Sequence, residues 1–358
     1  MAMSQWMIYG ANGYTGELVA REAASRQLTP VLAGRDDKAV RKLAQELGLE
    51  ARIFSLSDPG TVEKQLRGLA TVLHCAGPFM KTSEPMVRAC IAARVNYLDI
   101  TGEIPVFEWI LAHDAEAREA GVALVPGVGF DVVPTDCLAA ILAERLPDAS
   151  SLTLAFYSKG GSISRGTLRT MIESLPASGA IRRDGRIVGV PLAFDVREIP
   201  FSIGSRWAMT IPWGDVSTAF HTTGIPDIRV YSVTSRKAAA RLRKYRPLLR
   251  FASTWAVRKT LLAYASLRSG PDQTIRDRSR VYLWGEVRNE SGEIVTATMD
   301  TPEAYWVTAM SAVTAAQRVL VGDLDPGSWT PARAFGARFA ESIPGVVLDP
   351  VVHVAATS

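Results

Sequence analysis

Apolar and polar positions follow two alternating patterns over the first third of the chain. Short runs of continuous apolar or β-branched character occur at Gln5 to Gly10, Pro30 to Gly34, Ala51 to Leu56, Thr71 to Ala76, Asn96 to Ile100 and Val122 to Pro126. Runs of this length without polar alternation predict strands covered on both faces. Between them, Gly16 to Arg26, Asp37 to Leu47, Gly60 to Leu66, Glu84 to Arg94 and Pro105 to Ala120 carry apolar residues at three- and four-residue spacing, the stripe a helix needs to cover a sheet. Strand and helix in strict alternation predict βαβ units with right-handed crossovers, hence an α/β fold with a doubly wound parallel sheet of Rossmann type.

The pattern changes after Gly127. Asp131 to Leu146 reads as a helix, followed by strand-like runs at Leu152 to Tyr157, Ile187 to Val190, Phe220 to Thr223 and Arg229 to Val233. Residues 281–299 read as a hairpin turning at Asn289 to Gly292, and Ala304 to Val321 as a helix. The expected organisation is a nucleotide-binding domain over 1–130, a second α+β domain with a mixed sheet over 131–300 for substrate or dimerisation, and a C-terminal helix and tail over 301–358. Whether that tail returns to the first domain stays open.

Composition narrows the class. With 358 residues, 47% of them hydrophobic, the chain can bury two cores, which excludes disorder, collagen and coiled coil. Three cysteines and four histidines without paired spacing offer neither a disulfide framework nor a metal site, so no metal is expected. A net charge of +4 is too mild to imply nucleic acid. The N-terminus enters a strand directly, and no apolar run reaches the roughly 18 residues of a membrane span, so a cytoplasmic protein is expected.

The sharpest motif is Gly10-Ala11-Asn12-Gly13-Tyr14-Thr15-Gly16, where the first strand passes into the first helix. Absent side chains let the backbone turn tightly and approach a pyrophosphate held at the helix N-terminus. The glycine spacing is three and three, so position at the first strand exit carries the assignment as much as the motif does. At the second strand exit, Gly34 is followed by Arg35 where a carboxylate would receive the ribose hydroxyl of NAD. A guanidinium suits a 2′-phosphate, so NADP(H) is preferred, with NAD(H) left open by the adjacent Asp36. Asp58 is placed to reach the adenine or to cap the next helix. The fourth strand ends in Cys75-Ala76-Gly77-Pro78, whose backbone should touch the cofactor's ribose and phosphate. Cys75 lacks an evident activating base and reads as an inert thiol.

These residues resemble the saccharopine-dehydrogenase-like NADP-binding family, which includes saccharopine reductases, short bacterial relatives and trans-acting enoyl reductases. The likeness runs in order through the glycine turn, Ala33-Gly34-Arg35, Ala76 to Phe79, Glu84 to Cys90, Tyr97 to Glu103 and Gly129 to Asp136. Beyond residue 150 it is looser, in Gly160-Gly161 with Gly166-Thr167, Arg183 to Arg186 and Thr330 to Gly336. The resemblance implies NADP at the turn, an inserted mixed-sheet domain for substrate and a C-terminal segment returning to the first domain. Saccharopine reductases proper are longer, so substrate identity does not transfer.

Reduction needs a donor at the carboxyl edge of the sheet. Asp99, Thr101 and Glu103 follow the fifth strand and Asp131 the sixth; Asp131 and Glu103 are the candidate catalytic acids, and Thr101 a cofactor contact. Each has a competing structural role, a helix cap for Asp131 or Asp136 and a loop anchor for Glu103. Tyr157, Arg165 and His221 are the polar candidates of the second domain. No Tyr-x-x-x-Lys pair occurs, which argues against a short-chain dehydrogenase.

Residues 236–268 carry ten basic and no acidic residues, interleaved with apolar ones. Three readings stand: a helix on an anionic membrane, a dock for an acyl-carrier protein or coenzyme A phosphates, and a helix packed on its own core or a homodimer partner. The expected activity is an NADPH-dependent reduction of a C=C or C=N bond in a lipophilic small molecule. The rival is a non-catalytic NADP(H)-binding redox sensor or membrane-associated scaffold.

Overall fold

Strands buried on both faces favour apolar side chains, and β1 (Trp6–Tyr9), β2 (Val31–Gly34) and β4 (Thr71–His74) are buried at every position, Thr71 and His74 included. With β3 (Ala51–Ile53), β5 (Asn96–Asp99) and β6 (Ala123–Val125) they form a parallel sheet in the order β6-β5-β4-β1-β2-β3. Registers such as Ile8 against Leu32 and Leu73 place all the carboxyl ends on one edge. The computed structural model describes residues 5–161, 168, 172, 179–252, 259–260, 270 and 272–354. It divides into two units, Met1–Val133 with Tyr305–Gly336, and Pro134–Ala304 with Ala337–Ser358.

In the first unit, helices α1 (Tyr14–Ser25), α2 (Asp37–Leu47), α3 (Pro59–Leu66), α4 (Phe79–Ala93), α5 (Ile104–Leu111) and α6 (Asp114–Ala120) cross over the sheet. Where one helix was expected over Pro105 to Ala120, there are two. The chain turns at Ala112 and His113, whose Nδ1 hydrogen-bonds the Trp109 carbonyl at 2.7 Å. A seventh strand, β15 (Gly327–Ser328), adds beside β6 in parallel. The long helix α11 (Ala304–Leu320) docks on α1: the Arg26 guanidinium donates to Thr314 Oγ1 at 2.9 Å and Gln317 Oε1 at 2.8 Å. The short helix α12 (Pro331–Phe335) closes the unit, with Arg318 donating to the Phe335 carbonyl.

The second unit is built on β7 (Ser151–Lys159), which pairs in parallel with β12 (Asp227–Val233) and antiparallel with β13 (Arg280–Arg288). The sheet continues outward through β11 (Gly204–Thr210) and β10 (Val196–Phe201) on one side. On the other lie β14 (Ile294–Thr301), β16 (Val347–Leu348) and β17 (Val352–Val354). The hairpin β8 (Gly179–Arg183) and β9 (Arg186–Val190) joins at β12. The expected hairpin over 281–299 is present as β13 and β14, with Glu286 opposite Thr296. The expected strand at Phe220 to Thr223 is instead the end of a helix, α8 (Asp215–Thr223). Gly224 at φ +75 provides the left-handed C-cap that stops it, and Asp215 favours the opposite terminus. Strands β10 and β11 went unread because their exposed polar positions interrupt the apolar alternation.

Helix α7 (Val133–Arg145) covers one face of this sheet, and the other carries an aromatic layer including Phe201, Tyr231 and Trp284. The Arg197 guanidinium lies 5.4 Å over Trp284 and 3.6 Å from Glu286. The helices α9 (Arg236–Ala252) and α10 (Gln273–Arg278) lie between β12 and β13 in the chain. Close approach of α7 depends on Gly285, where a Cβ would stand 2.6 Å from Leu142 Cδ1 and 3.1 Å from Leu138 Cδ2. Gly285→Val is therefore expected to overpack the contact and destabilise this unit by about 1–3 kcal/mol. Urea unfolding followed by tryptophan emission reads it; an unchanged midpoint would show that helix and sheet are not in close contact.

Candidate functional site

The glycine turn is shaped by contacts that leave no room for side chains. Gly10 has φ +84, and a Cβ there would lie 2.7 Å from the Ala76 nitrogen, so the exits of β1 and β4 touch. A Cβ on Gly16 would strike the Gly10 carbonyl oxygen. Gly13 differs: it is the N-cap of α1, no side chain caps that helix, and a Cβ would meet only the Gly10 oxygen at 3.3 Å. The two outer glycines thus serve packing, and the middle one leaves the helix N-terminus bare, a cradle that fits a pyrophosphate. Ala11 is fully buried, Asn12 is exposed with its Oδ1 where a Gly34 Cβ would lie at 2.9 Å, and Thr15 is half-buried. Tyr14 meets Tyr305 of α11 edge-on at 5.0 Å.

At the β2 exit, Arg35 is exposed and makes no hydrogen bond or ion pair among the described residues. Asp36 is occupied: it is the N-cap of α2, accepting from the Ala39 amide at 3.0 Å. The cap engages the carboxylate and leaves the guanidinium as the exposed charge at this strand exit. Asp58 is the exposed N-cap residue of α3. Its carboxyl accepts from the Thr61 hydroxyl, a bond that holds its pKa below the usual range.

The acids after β5 and β6 have sharply different surroundings. Asp99 is fully buried and accepts from Tyr97 Oη at 2.7 Å, the Thr101 amide at 3.0 Å and the Gly127 amide at 2.8 Å. Burial outweighs these donors and raises its pKa to about 6. Glu103 accepts from the amides of Phe79 and Met80, each at 2.9 Å, and so caps α4, whose own N-cap, Pro78, has no side chain to do so. Thr101 is buried, with its hydroxyl oxygen accepting from the Glu103 amide at 3.1 Å.

Asp131 lies in the loop before α7, which begins at Val133 instead of at the expected Asp131. Its carboxyl rests against Gly102, where a Cβ would come within 2.6 Å of Oδ2. It is half-buried, forms no hydrogen bond or ion pair among the described residues, and burial alone raises its pKa to about 6. The backbone around it is fixed: Phe130 N donates to Thr308 Oγ1 at 3.0 Å, and Ser311 Oγ donates to the Val128 carbonyl at 2.7 Å. Thr308 and Ser311 were missed by sequence reasoning, because the helix pattern of α11 carries no sign of where it docks. Cys75 is buried, its amide bonded to the Tyr9 carbonyl at 2.7 Å, and burial pushes its thiol up.

In the second unit, Tyr157 lies in the aromatic layer 6.2 Å from Tyr282. His221 is on α8, edge-on to Phe220 at 5.7 Å, and Asp136 accepts from Thr222 Oγ1 at 2.6 Å. Arg165, Gly166 and Thr167 fall outside the described residues, as do 253–258 and 261–269 of the basic stretch. Among the described residues no cluster of His, Cys, Asp and Glu could hold a metal, and no helix is long and apolar enough to cross a membrane.

Residues 6–125 match the family model of the saccharopine dehydrogenase NADP binding domain, and the chain carries that domain. A saccharopine dehydrogenase-like oxidoreductase of Rattus norvegicus is 28% identical over 204 residues, covering 50% of this chain and 48% of the relative. A trans-acting enoyl reductase of Mycobacterium leprae is 33% identical over 138 residues, covering 36% and 33%. The chain thus spans at most about half the length of these curated relatives. Apo histidine-tagged saccharopine dehydrogenase (L-Glu forming) from Saccharomyces cerevisiae superposes with a TM-score of 0.68 at 13% identity, covering 98% of this chain and 100% of that one. The two share a fold.

One further side chain lies below this edge. His74 ends β4, is fully buried, and both ring nitrogens lack a hydrogen-bond partner among the described residues. The rings of Tyr9, Phe79 and Tyr97 surround it at 5.5, 5.4 and 6.1 Å. Burial lowers its pKa from 6.5 to about 3, so it is neutral in the fold and protonates on unfolding in acid. Its contribution to stability is complete above pH 6.5 and falls as pH drops toward 3. Asp99 and Asp131 act oppositely, since raised carboxyl pKa values favour the fold as pH falls below about 6. His74→Phe removes only the first effect, so relative to the parent it should gain about 2–3 kcal/mol between pH ~7 and pH ~4.5. Urea titrations at the two pH values test this, and equal shifts in both proteins would mean that His74 titrates normally.

Proposed function

We propose that the chain is an NADPH-dependent reductase of polarised double bonds, an enoyl C=C ahead of a C=N, with Asp131 as proton donor. The observation that carries this reading is the Asp131 carboxyl, held half-buried against Gly102 without a bonding partner among the described residues. It stands on the same sheet edge as the glycine turn. Reducing a double bond needs hydride at one end and a proton at the other, and the nicotinamide cofactor supplies the hydride when bound. A carboxyl titrating near 6 retains its proton closer to neutrality than an ordinary aspartic acid and releases it readily. Without an internal partner, Asp131 breaks no bond when it turns to a substrate.

Glu103 and Asp99 act by position in this reading. Glu103 holds the start of α4, and with it the Cys75 to Pro78 turn, while Asp99 holds the loop that carries Asp131. The cofactor contacts are Gly10 to Gly16, Gly34, Arg35, the backbone of Cys75 to Pro78, and Asp58 and Thr101 at the margins. The enoyl preference draws on the relatives named trans-acting enoyl reductase.

Arg35→Ala should weaken NADPH binding roughly 30-fold, about 2 kcal/mol for a lost charge-assisted bond, and leave NADH binding nearly unchanged. Nicotinamide fluorescence titrations measure both, and equal losses would remove Arg35 from the 2′-phosphate. Asp131→Asn should bind NADPH as the parent does and reduce substrate on the order of 100-fold more slowly. In the parent, turnover should fall as pH rises through about 6, because the acid form is the donor. The assay is NADPH consumption with a panel of enoyl thioesters and imines. Full activity in Asp131→Asn would place the donor elsewhere, and NADPH binding without turnover on any of the panel would return the sensor reading.

A further inference from the structure

We propose that the outer face of α9 is a docking face for an anionic membrane surface, held by charge without insertion. Helical geometry divides its described side chains cleanly. Ala239 is buried, and the Arg243 and Arg246 guanidiniums on the same side donate to the backbone carbonyls of Leu192, Ala193 and Phe194, so this side is tied to the helix's own unit. Lys237, Arg241 and Lys244, at intervals of four and three, form a stripe on the opposite side, all exposed. None of the three has a hydrogen bond or ion pair among the described residues; Lys244 lies 5.7 Å from the Tyr245 ring. Arg236, two turns before Arg243, belongs to the inward side and lies 5.0 Å over the Trp207 ring. The nearest acid along the supporting loop, Asp195, is engaged by Tyr231 Oη at 2.6 Å and Arg229 at 3.7 Å.

One aromatic side chain flanks the cations: Tyr245, beside Lys244, is 50% exposed. Over its described side chains the inward side of this helix is the one bonded to its own unit. What remains outside is a stripe of cations with one aromatic flank, which matches the headgroup plane of an anionic leaflet. Protein interfaces place aromatic anchors at the centre and charge at the rim. Here Lys, which protein interfaces shed, supplies two of the three cations and Tyr245 stands at the edge, which favours lipid over an acidic protein. The inference is independent of the cofactor reading.

The test is co-sedimentation of the full chain with vesicles of phosphatidylcholine alone and of equal parts phosphatidylcholine and phosphatidylglycerol, at low and rising salt. The parent should bind only the anionic vesicles and release as salt rises. Lys237→Gln/Arg241→Gln/Lys244→Gln should bind roughly 100-fold more weakly, about fivefold per cation removed, with unchanged circular dichroism and NADPH affinity. No binding by the parent at low salt overturns the proposal and leaves the face to an acidic protein. Equal binding to both vesicle types, or undiminished binding by the triple variant, overturns it as well.

Discussion

The carboxyl edge of the first unit depends on one buried carboxyl. Asp99 has no access to water, and a carboxylate in that position is tolerated only if its oxygens are met by donors. The donors come from different segments: Tyr97 within β5, Thr101 just beyond it and Gly127 beyond β6. The Asp99 carbonyl accepts from Val128 as well, at 2.8 Å. From there the bonding passes outward, through Thr101 to Glu103 and the start of α4, and through Val128 and Phe130 to Ser311 and Thr308 of α11. Loops that differ in sequence and length thereby hold fixed positions around the glycine turn.

That fixed frame is what lets three acids of the same edge differ in character. Asp99 is surrounded by donors, Glu103 accepts from two helix amides, and Asp131 is half-buried without a bonding partner among the described residues. Environment, and not residue type, sets such assignments. A carboxyl without a bonding partner is costly to bury, and at Gly102 the missing side chain leaves the space that Asp131 takes.

Much of this was legible in the chain. Six strands and their order follow from continuous apolar runs, because a parallel sheet leaves no face for polar alternation. The glycine turn was readable because its shape is set by backbone geometry at a strand exit, and Arg35 stands exposed at the next exit. What escaped notice depends on distant partners. The sequence around Glu103 does not disclose that it caps a helix beginning at Phe79. The periodicity of α11 gives its length but not its seat on α1 and the Gly127 to Asp131 loop. Phe220 to Thr223 misled because aromatic and β-branched residues suit strands, whereas Asp215 and Gly224, the residues that bound the helix, lie outside the run. The basic stretch was legible as charge, but only packing separates Arg243 and Arg246, which hold backbone carbonyls, from Lys237, Arg241 and Lys244, which do not.

The return of residues 305–336 to the first unit also sets an order of events during synthesis. A ribosome releases β1 to β6 long before α11, with the whole of β7 to β14 emerging in between. Until then the Gly127 to Asp131 loop lacks Thr308 and Ser311, and the β6 edge lacks β15. The nascent first unit therefore waits, open at one edge, while an intervening unit is translated, and completes its sheet only once Gly327 and Ser328 have emerged. The segment that closes the sheet is thus made well after the segment that opens it, and a chain broken off before residue 305 would lack the β15 edge and the Thr308 and Ser311 contacts although its glycine turn was already made.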